Sequence, residues 1–454
     1  MSLHFDGKPQ FFFDDFLLSD CKNVYRESET AVKKKNPVLI PEKPWEARRT
    51  QVCTVLYDEN EKLYKMWYST SYYKYGLPKN IPAVLQKDMH GALMYATSKD
   101  GYIWEKPNLG VTDFMGSTDN NIVVWKNFIA ASDSVVCDPN EKNPDKKYKL
   151  YSHQDLHGAY VAYSPDGIHW SDFNREKYVI ECNDVLSVGW DDNKEQYIAG
   201  YKIHKGKESI RTQGFAHSKD GLNWSYSGIV FEPDSQDPPD LQFYGFTPFS
   251  YKGIYLGFLW RFRNDKKNQT MDVELVYSRD GNDWERIDRK PVIPKGNIGD
   301  FDSHMIMGIS SNILVLDEEV RVYYVGWNEK HWDFRETPNR RNCTGIAKFE
   351  PDRFMAIKAE KDGIIITKLL NADQGVLSIN ARTEESGEIR AALLDKDGKI
   401  INGFSYEECV PMNGDNSDFK LIWNGKTTSD ANEDYAVGFQ INGASLFSMQ
   451  YSER

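Results

Sequence analysis

The sequence predicts an all-β protein, a five-bladed β-propeller over residues 1–362 followed by an antiparallel β-sandwich over residues 363–454. Three observations predict this fold: a tryptophan-containing turn that occurs four times, a strand–turn–strand unit that occurs five times, and short strand-like segments without that turn after about residue 363. Helical periodicity is scarce along the whole chain. Circular repetition of sheets is the arrangement that removes exposed sheet edges from such a repeat.

The repeated turn has the pattern Ser-x-Asp-Gly-x-x-Trp and ends at the tryptophans Trp104, Trp170, Trp224 and Trp284. Each copy follows a short β-like segment. Asp-Gly suits a tight turn because glycine accepts a positive φ and aspartate caps the amides of the turn. We expect each tryptophan to pack against the neighbouring repeat, and we assign the turn no catalytic role.

The strand–turn–strand units cover residues 55–69, 135–153, 188–202, 248–261 and 313–327. The first four are each followed by the tryptophan turn, whereas the fifth continues into the strand-like residues 344–349. A hairpin, a third strand, a tight turn and a fourth strand make one four-stranded blade. After residue 363, about six short strands separated by Gly, Asn and Asp turns are typical of a small sandwich.

Composition excludes several classes of partner. The net charge of −12 argues against a nucleic-acid backbone, which requires an excess of Lys and Arg. The sequence contains no run of 18 apolar residues, so it predicts no membrane span. Six scattered cysteines without a CxxC pair predict neither a zinc site nor a disulfide framework, which slightly favours a cytoplasmic location, although a secreted or periplasmic one stays open.

Several stretches resemble a known family, among them Asn36-Pro37-Val38-Leu39, Trp45-Glu46, Tyr64-Lys65-Met66-Trp67-Tyr68, Asp272-Val273-Glu274-Leu275 and Gly299-Asp300-Phe301-Asp302. Over residues 36–350 the chain resembles five-bladed β-propeller glycoside hydrolases related to invertases, levanases and arabinanases. The resemblance implies a carbohydrate substrate and a central funnel in which paired carboxylates cleave a glycosidic bond of an oligosaccharide or polysaccharide. It implies no cofactor, apart from a calcium ion that some relatives hold on the axis and for which His304 could serve.

Four carboxylates are the catalytic candidates. Asp133 stands where the resemblance places the Asp of an Arg-Asp-Pro motif, and Glu181-Cys182-Asn183-Asp184 is similar to a Glu-Cys-Pro-Asp element whose Glu is the acid/base. Matching Ser-Asp-Ser-Val-Val to Asn-Asp-Val-Leu-Ser between the second and third repeats aligns Asp184 with Asp133, so Asp184 competes with Glu181 for the acid role. The first repeat lacks the aspartate of the family's nucleophile motif, and Glu46 is the only carboxylate near enough to replace it.

Further polar and aromatic residues near strand ends are candidates for substrate binding. They are Arg48, Arg49, Tyr244, Trp260, Arg261, Asp272, Glu274, Asp302, His304 and His331. Arginines hold carboxylates or hydroxyls, and an aromatic ring such as that of Tyr244 can stack on a sugar face.

Two other functions stay open. A glycoside phosphorylase of the same fold would need a basic cluster for phosphate, for which Arg48, Arg49, Arg261, Arg340, Arg341 and His331 are available. A carbohydrate-binding propeller without catalysis is the alternative outside the enzymes, and the missing aspartate of the first repeat is the observation that favours it.

Overall fold

The computed structural model describes residues 2–5, 7–72, 90–126, 133–154, 157–265, 267, 269–331, 341–372 and 375–452. These residues form β-strands and three short 3-10 helices, Pro44–Glu46, Pro144–Lys146 and Thr428–Asp430. No helix within the described ranges is long and apolar enough to cross a membrane. The chain divides into a central unit, Thr30–Lys348, and a terminal unit made of Met1–Glu29 and Phe349–Arg454.

Four short strands precede the repeats: β1 (Gln10–Phe11), β2 (Leu18–Lys22), β3 (Tyr25–Ser28) and β4 (Val32–Lys33). Sheet 1 follows as β5 (Gln51–Asp58), β6 (Leu63–Tyr72), β7 (His90–Ser98) and β8 (Ile122–Lys126). Sheet 2 contains β9 (Ser134–Cys137), β10 (Tyr148–His153), β11 (Gly158–Ser164) and β12 (Ile180–Glu181). Sheet 3 contains β13 (Leu186–Asp191), β14 (Gln196–Lys205), β15 (Ile210–Ser218) and β16 (Ser225–Phe231).

Sheet 4 contains β17 (Leu241–Tyr251), β18 (Ile254–Arg263), β19 (Thr270–Ser278) and β20 (Trp284–Ile293). Sheet 5 contains β21 (Met305–Ile309), β22 (Leu314–Val315), β23 (Val320–Trp327) and β24 (Asn342–Phe349), and a single parallel bridge, Met271 to Met305, joins it to sheet 4. Neighbouring strands within sheets 1 to 3 are antiparallel throughout the described residues. Each repeat found in the sequence therefore corresponds to one sheet.

The first strands of the sheets contact one another in succession. Strand β9 touches both β5 and β13, β13 touches β17, and β21 touches β18, β19 and β5. Contacts thus run from sheet 1 to sheet 5 and return to sheet 1. Hydroxyl groups on these strands accept backbone amides of the next strand: Val55 N to Ser310 Oγ (3.1 Å), Val135 N to Thr54 Oγ1 (2.8 Å) and Val188 N to Ser134 Oγ (2.9 Å).

These hydrogen bonds correct one alignment made from the sequence. Because Val135 and Val188 donate to equivalent hydroxyls, Asp133 is level with Leu186, and Asp184 lies two residues earlier along the third repeat. A shift of two residues preserves the inward and outward alternation of a strand. The hydrophobic pattern alone could not reveal the shift.

The tryptophan turns lie where sheets meet. In the third copy, Ser218 Oγ accepts the amide of Gly221 (2.9 Å), and Trp224 Nε1 donates to the Gly221 carbonyl (3.2 Å). Gly221 has a φ of 73°, and a Cβ there would lie 2.3 Å from the Tyr151 hydroxyl of sheet 2, so the position requires glycine. Ring contacts join Trp224 to Tyr151, Trp104 to Tyr323 and Trp284 to Phe215, each on a neighbouring sheet, which confirms the predicted packing for these three turns.

The last sheet is completed from the beginning of the central unit. Strand β4 pairs antiparallel with β24, with Lys33 opposite Ala347. The Lys33 ammonium donates to Asp302 Oδ2 (2.8 Å) and to the Pro294 carbonyl (2.6 Å). The Tyr324 hydroxyl donates to the same Asp302 oxygen (2.8 Å), so the buried carboxylate joins β4 to sheet 5.

The terminal unit is a single mixed-length antiparallel sheet. Its later strands are β25 (Met355–Ala359), β26 (Gly363–Thr367), β27 (Val376–Leu394), β28 (Asp415–Lys420) and β29 (Ala436–Ser452). The strand order is β2-β26-β29-β25-β3, with β1 also on β29, and β27 between β28 and β29. A core that includes Phe12, Ile365, Trp423 and Phe439 is buried in it.

The predicted boundary at residue 363 needs correction. Residues 1–29 and 349–362, which the sequence analysis places with the repeats, belong to the terminal unit. The reason is strand pairing between distant segments: β1 pairs with β29, β2 with β26, and β3 with β25. Local sequence patterns contain no information on such pairings.

Candidate functional site

In each sheet, consecutive strands are antiparallel, so the start of the first strand, the end of the second and the start of the third lie on the same side of the sheet. We call this side, where the strand ends lie, the starting edge. Asp133 and Asp184 precede or begin first strands, Lys202 lies at the end of a second strand, and Asp272 near the start of a third. Most of the residues predicted to form the site therefore lie at the starting edge of their sheets, on the side opposite the tryptophan turns.

A pocket of about 500 Å³ opens at the starting edge of sheets 2 and 3. Pockets of this size bind small molecules such as short saccharides. Its walls are polar and aromatic, and they are formed by His157, Glu181, Cys182, Asn183, Tyr201, Lys202, Ile203, His204 and Tyr226. Of these residues, the sequence analysis singles out only Glu181.

Asp184 forms an ion pair at the edge of this pocket. Lys202 Nζ lies 2.5 Å from Asp184 Oδ1, and the lysine side chain is buried. Burial raises the pKa of Asp184, but the Lys202 ammonium and its hydrogen bond outweigh burial, so that the pKa of this carboxyl is lowered. Burial in turn lowers the pKa of Lys202. Asp184 is consequently ionised at neutral pH and is a poor proton donor.

Asp133 occupies the neighbouring first strand. It lies directly before β9 and is only 1% exposed, and its Oδ2 is 4.0 Å from the Cys53 thiol of sheet 1. The strands β9 and β13 are in contact, so Asp133 and Asp184 lie at the starting edges of adjacent sheets. The two carboxylates differ in environment, since one is buried and the other is paired with lysine.

Glu181 is the exposed carboxylate of the pocket. It ends β12, and its backbone amide donates to the Tyr226 hydroxyl (3.2 Å). The adjacent Cys182 thiol is buried, 3.2 Å from His153 Nε2, and burial raises the pKa of that thiol far above its ordinary value. Cys182 is therefore an uncharged wall residue, whereas Glu181 is open to a ligand.

Tyr244 lies inside a cluster rather than on an open surface. Its ring is 4% exposed, and the Lys202 ammonium (4.2 Å) and the Arg211 guanidinium (5.3 Å) approach the ring centroid. Its hydroxyl is 3.0 Å from His331 Nε2. The ring is covered, so the prediction that Tyr244 stacks on a sugar is wrong for this conformation.

Glu46 is a structural carboxylate in this conformation. It is 0% exposed, in the 3-10 helix Pro44–Glu46. One oxygen accepts the amides of Glu42 (2.6 Å) and Lys43 (2.7 Å), and the other binds the Tyr68 hydroxyl (2.8 Å) and Lys106 Nζ (2.7 Å). Four donors occupy both oxygens, so the nucleophile role predicted for Glu46 is left without an accessible atom.

Three predicted binding residues form an ion-pair network in sheet 4. Arg261 Nε donates to Asp272 (2.7 Å), and Glu274 is held by Arg286 (2.8 Å from Nη2 to Oε2). Arg286 continues to Asp237 (2.7 Å). Glu274 is almost fully buried, and its carboxylate is bound by arginine. The two acidic side chains Asp272 and Glu274, predicted to bind substrate, therefore have arginine partners within the protein.

The remaining predicted binding residues are divided between core and edge. Trp260 is 1% exposed against Gly245, and Asp302 is buried between Lys33 and Tyr324, so neither faces a ligand. Arg48 is exposed beside the Asn342 amide, and the Arg49 guanidinium lies 5.8 Å from the Trp327 ring centroid. His304 is half-buried with Nδ1 3.3 Å from Ser303 Oγ. Arg341 is exposed, and Arg340 lies outside the described residues.

The described residues were compared with the side-chain arrangements that bind metal ions. No group of three or more His, Cys, Asp or Glu side chains there has the arrangement to hold one. The calcium-binding role of His304 stays a prediction from the sequence.

Three charged residues at the starting edge were missed by sequence reasoning. Lys202 on β14 and Arg211 on β15 both approach the Tyr244 ring. Glu329, two residues after β23, has Oε2 buried without a hydrogen-bond partner among the described residues. Strand alternation could have found Lys202, because it occupies an inward position of a buried strand. Arg211 and Glu329 carry no comparable signal.

Comparison with protein-family models and with curated proteins finds no match. Solved structures similar to the chain, all at low identity, include several described as glycoside hydrolases and one described as an N-acetylgalactosamine deacetylase. A chain described as a glycoside hydrolase is 11% identical, covers 72% of this chain and 93% of its own, and has a TM-score of 0.46. A family 43 arabinoxylan arabinofuranohydrolase from Bacillus subtilis is 12% identical, covers 94% of this chain and 99% of its own, and has a TM-score of 0.43. The family 32 β-fructofuranosidase of Bombyx mori is also 12% identical, covers 92% of this chain and 94% of its own, and has a TM-score of 0.45. Similarity at this level identifies neither substrate nor catalytic residues, so function has to come from the site's own residues.

Proposed function

We propose that the central unit is a five-bladed β-propeller that hydrolyses glycosidic bonds of an oligosaccharide or polysaccharide, and that the continuous eight-stranded sheet of the terminal unit folds over into the two layers of a β-sandwich. The observation that carries the proposal is the pair formed by Glu181 and Asp184. One is an exposed carboxyl in a polar and aromatic pocket, and the other is kept ionised by Lys202 at its edge. Two carboxylates in different environments can divide the roles of acid and anion in glycoside cleavage.

Because Lys202 holds Asp184 as the anion, we assign the proton-donor role to Glu181, the carboxyl that is open to the pocket. Glu181 donates its proton to the glycosidic oxygen as the bond from that oxygen to the anomeric carbon breaks. Asp184, as the anion, either bonds to that carbon or takes a proton from the attacking water. Asp133 is buried and is not part of the pocket wall, so it acts as a positioning residue, through the contact of β9 with β13. The acid role, for which the sequence leaves both Glu181 and Asp184 open, is thereby assigned to Glu181.

The proposal is tested with a panel of 4-nitrophenyl glycosides and the matching alkyl glycosides. In Asp184→Asn, kcat/KM should fall by about 10²–10⁴ on both series, while sugar binding measured by calorimetry persists. In Asp133→Asn the fall should be smaller, because Asp133 is buried behind the pocket wall. Glu181→Gln should lose far more activity on alkyl glycosides than on nitrophenyl glycosides, because nitrophenolate leaves without a proton.

The matched control is Glu195→Gln, in the turn between β13 and β14 at the opposite edge of the same sheet. It should retain the wild-type kcat/KM on both series. Wild-type turnover in Asp184→Asn and Glu181→Gln would remove the catalytic assignment. Sugar binding without turnover by the unaltered protein would instead favour the carbohydrate-binding propeller.

Phosphorolysis is the second candidate, because two cations, Lys202 and Arg211, face the same Tyr244 ring beside the pocket. In that reaction, phosphate takes the place of water at the anomeric carbon, and the product is a sugar phosphate. Activity that requires added phosphate distinguishes it from hydrolysis.

A further inference from the structure

Arg211 is a cation without a counter-ion in the part of the chain that the structure describes. Its Nη1 donates to the neutral Gln242 Oε1 (2.6 Å), and its Nε is buried without a hydrogen-bond partner. No carboxylate of the described residues forms an ion pair with Arg211, although the chain has 68 acidic residues against 56 Lys and Arg. The adjacent Arg261, Arg263, Arg286 and Arg289 of sheet 4 all have aspartate or glutamate partners.

A half-buried guanidinium in this state is unfavourable by itself. A buried donor without an acceptor loses its hydration and gains no hydrogen bond in return. The rings of Tyr244 and Phe262, both 5.3 Å from the guanidinium carbon, offset part of that loss through cation–π attraction. The rings offer no hydrogen-bond acceptor, so the amino group that is not bonded to Gln242 keeps its hydrogen-bonding capacity for an oxyanion.

The surroundings of Arg211 are positive. Asp184 is already engaged by Lys202, so it does not compensate Arg211. His204, which lines the pocket, is the cross-strand partner of Arg211, and directly opposite residues project from the same face of a sheet. Burial, Lys202 and Arg211 together lower the pKa of His204, which agrees with a local excess of positive charge.

We propose that the pocket of sheets 2 and 3 binds a sugar together with an oxyanion held by Arg211, with Lys202 adding long-range attraction. The oxyanion has two sources of the same chemistry: the carboxylate of a uronic acid unit in the substrate, or free inorganic phosphate. A planar guanidinium binds both through parallel hydrogen bonds. The inference rests on the proposed carbohydrate function for the identity of the sugar, but not for the oxyanion.

Equilibrium binding tests it without turnover. Calorimetry on the full chain compares D-galacturonate and D-glucuronate with neutral D-galactose and D-glucose, and inorganic phosphate with chloride at equal ionic strength. The unaltered protein should bind at least one of the anions about tenfold or more tightly than its counterpart (about 1.4 kcal/mol), since only the anion forms charge-assisted hydrogen bonds with the guanidinium. Arg211→Gln should abolish that preference, and Arg211→Lys should restore part of it because a charge without the fork remains.

Lys207→Gln is the matched control, an exposed lysine in the same hairpin, and its preference for anions should change less than twofold. Circular dichroism of Arg211→Gln and Arg211→Lys establishes that both fold. Tighter binding of uronates points to a substrate carboxylate, and tighter binding of phosphate points to phosphorolysis, with sugar phosphate visible by phosphorus NMR. Equal affinity for anions and neutral sugars in the unaltered protein would overturn the inference and leave the glycosidase proposal standing.

Discussion

At the scale of single residues, the donors around a carboxylate decide what it can do. Glu46 receives four hydrogen bonds in a site without solvent, Asp184 is paired with one lysine at a pocket edge, and Glu181 faces the pocket itself. The sequence places all three carboxylates beside predicted strands. It does not distinguish their roles, because the residues that hydrogen-bond to them come from other segments of the chain. The side-chain environment is therefore the information that assigns a role.

The role of Glu46 yields a stability prediction. Glu46→Gln removes the charge that pairs with Lys106, whose ammonium stays buried, and breaking such a pair lowers the free energy of unfolding by about 3–5 kcal/mol. Glu42 is 3.6 Å from the same ammonium but 60% exposed, so Glu42→Gln should change that free energy by less than about 1 kcal/mol. Urea unfolding of both variants provides the comparison, and equal stabilities would contradict the structural role of Glu46.

At the scale of elements, the tryptophan turn connects adjacent sheets. Trp104 Nε1 and the Tyr323 hydroxyl both donate to the Gly101 carbonyl, at 3.2 Å and 2.8 Å, and the two rings are in edge contact. The turn of sheet 1 is thereby bonded to sheet 5. A local sequence motif in this way supplies a contact between segments more than 200 residues apart.

Trp104→Ala should lower the free energy of unfolding by about 3 kcal/mol, toward the lower limit for large aromatic deletions because the ring is half-buried. Its neighbour Ile103 is 75% exposed, so Ile103→Ala should change stability by less than about 0.5 kcal/mol. Thermal and urea unfolding measure both. Similar losses in the two variants would mean that the turn stabilises the fold through its backbone alone.

Sequence reasoning succeeded where structure is local and failed where it is not. The Ser-Asp-Gly turn specifies its own hydrogen bonds, so the repeats and their strands could be predicted from it. The two-residue offset of Asp184 relative to Asp133 could not be predicted, because it depends on which hydroxyl of β9 accepts the amide of Val188. Arg211 was missed for the same reason, since its isolation is visible only when the residues around it are known.

At the scale of the central unit, strand β4 ties the first residues of the unit to its last sheet by pairing with β24. Lys33 and Asp302 connect the beginning of the unit to sheet 5 by a buried ion pair. Lys33→Met leaves the Asp302 carboxylate buried without its cation and should lower the free energy of unfolding by about 3–5 kcal/mol.

The adjacent Lys34 is exposed, so Lys34→Met should have almost no effect and serves as the control. Limited proteolysis at native conditions, followed by mass spectrometry, should detect early cleavage near residues 30–36 in Lys33→Met only. Unchanged proteolysis and stability would show that β4 is held by backbone pairing with β24 alone.

The division of the terminal unit between both chain ends has a consequence for biosynthesis. When residue 349 has left the ribosome, every described strand of the central unit has been made, from β4 to β24. Among the described residues, strands β1, β2 and β3 pair with β29, β26 and β25, which are all synthesised later. The segment before the central unit therefore lacks its partner strands while the whole central unit is synthesised and can fold, and it enters its sheet afterwards.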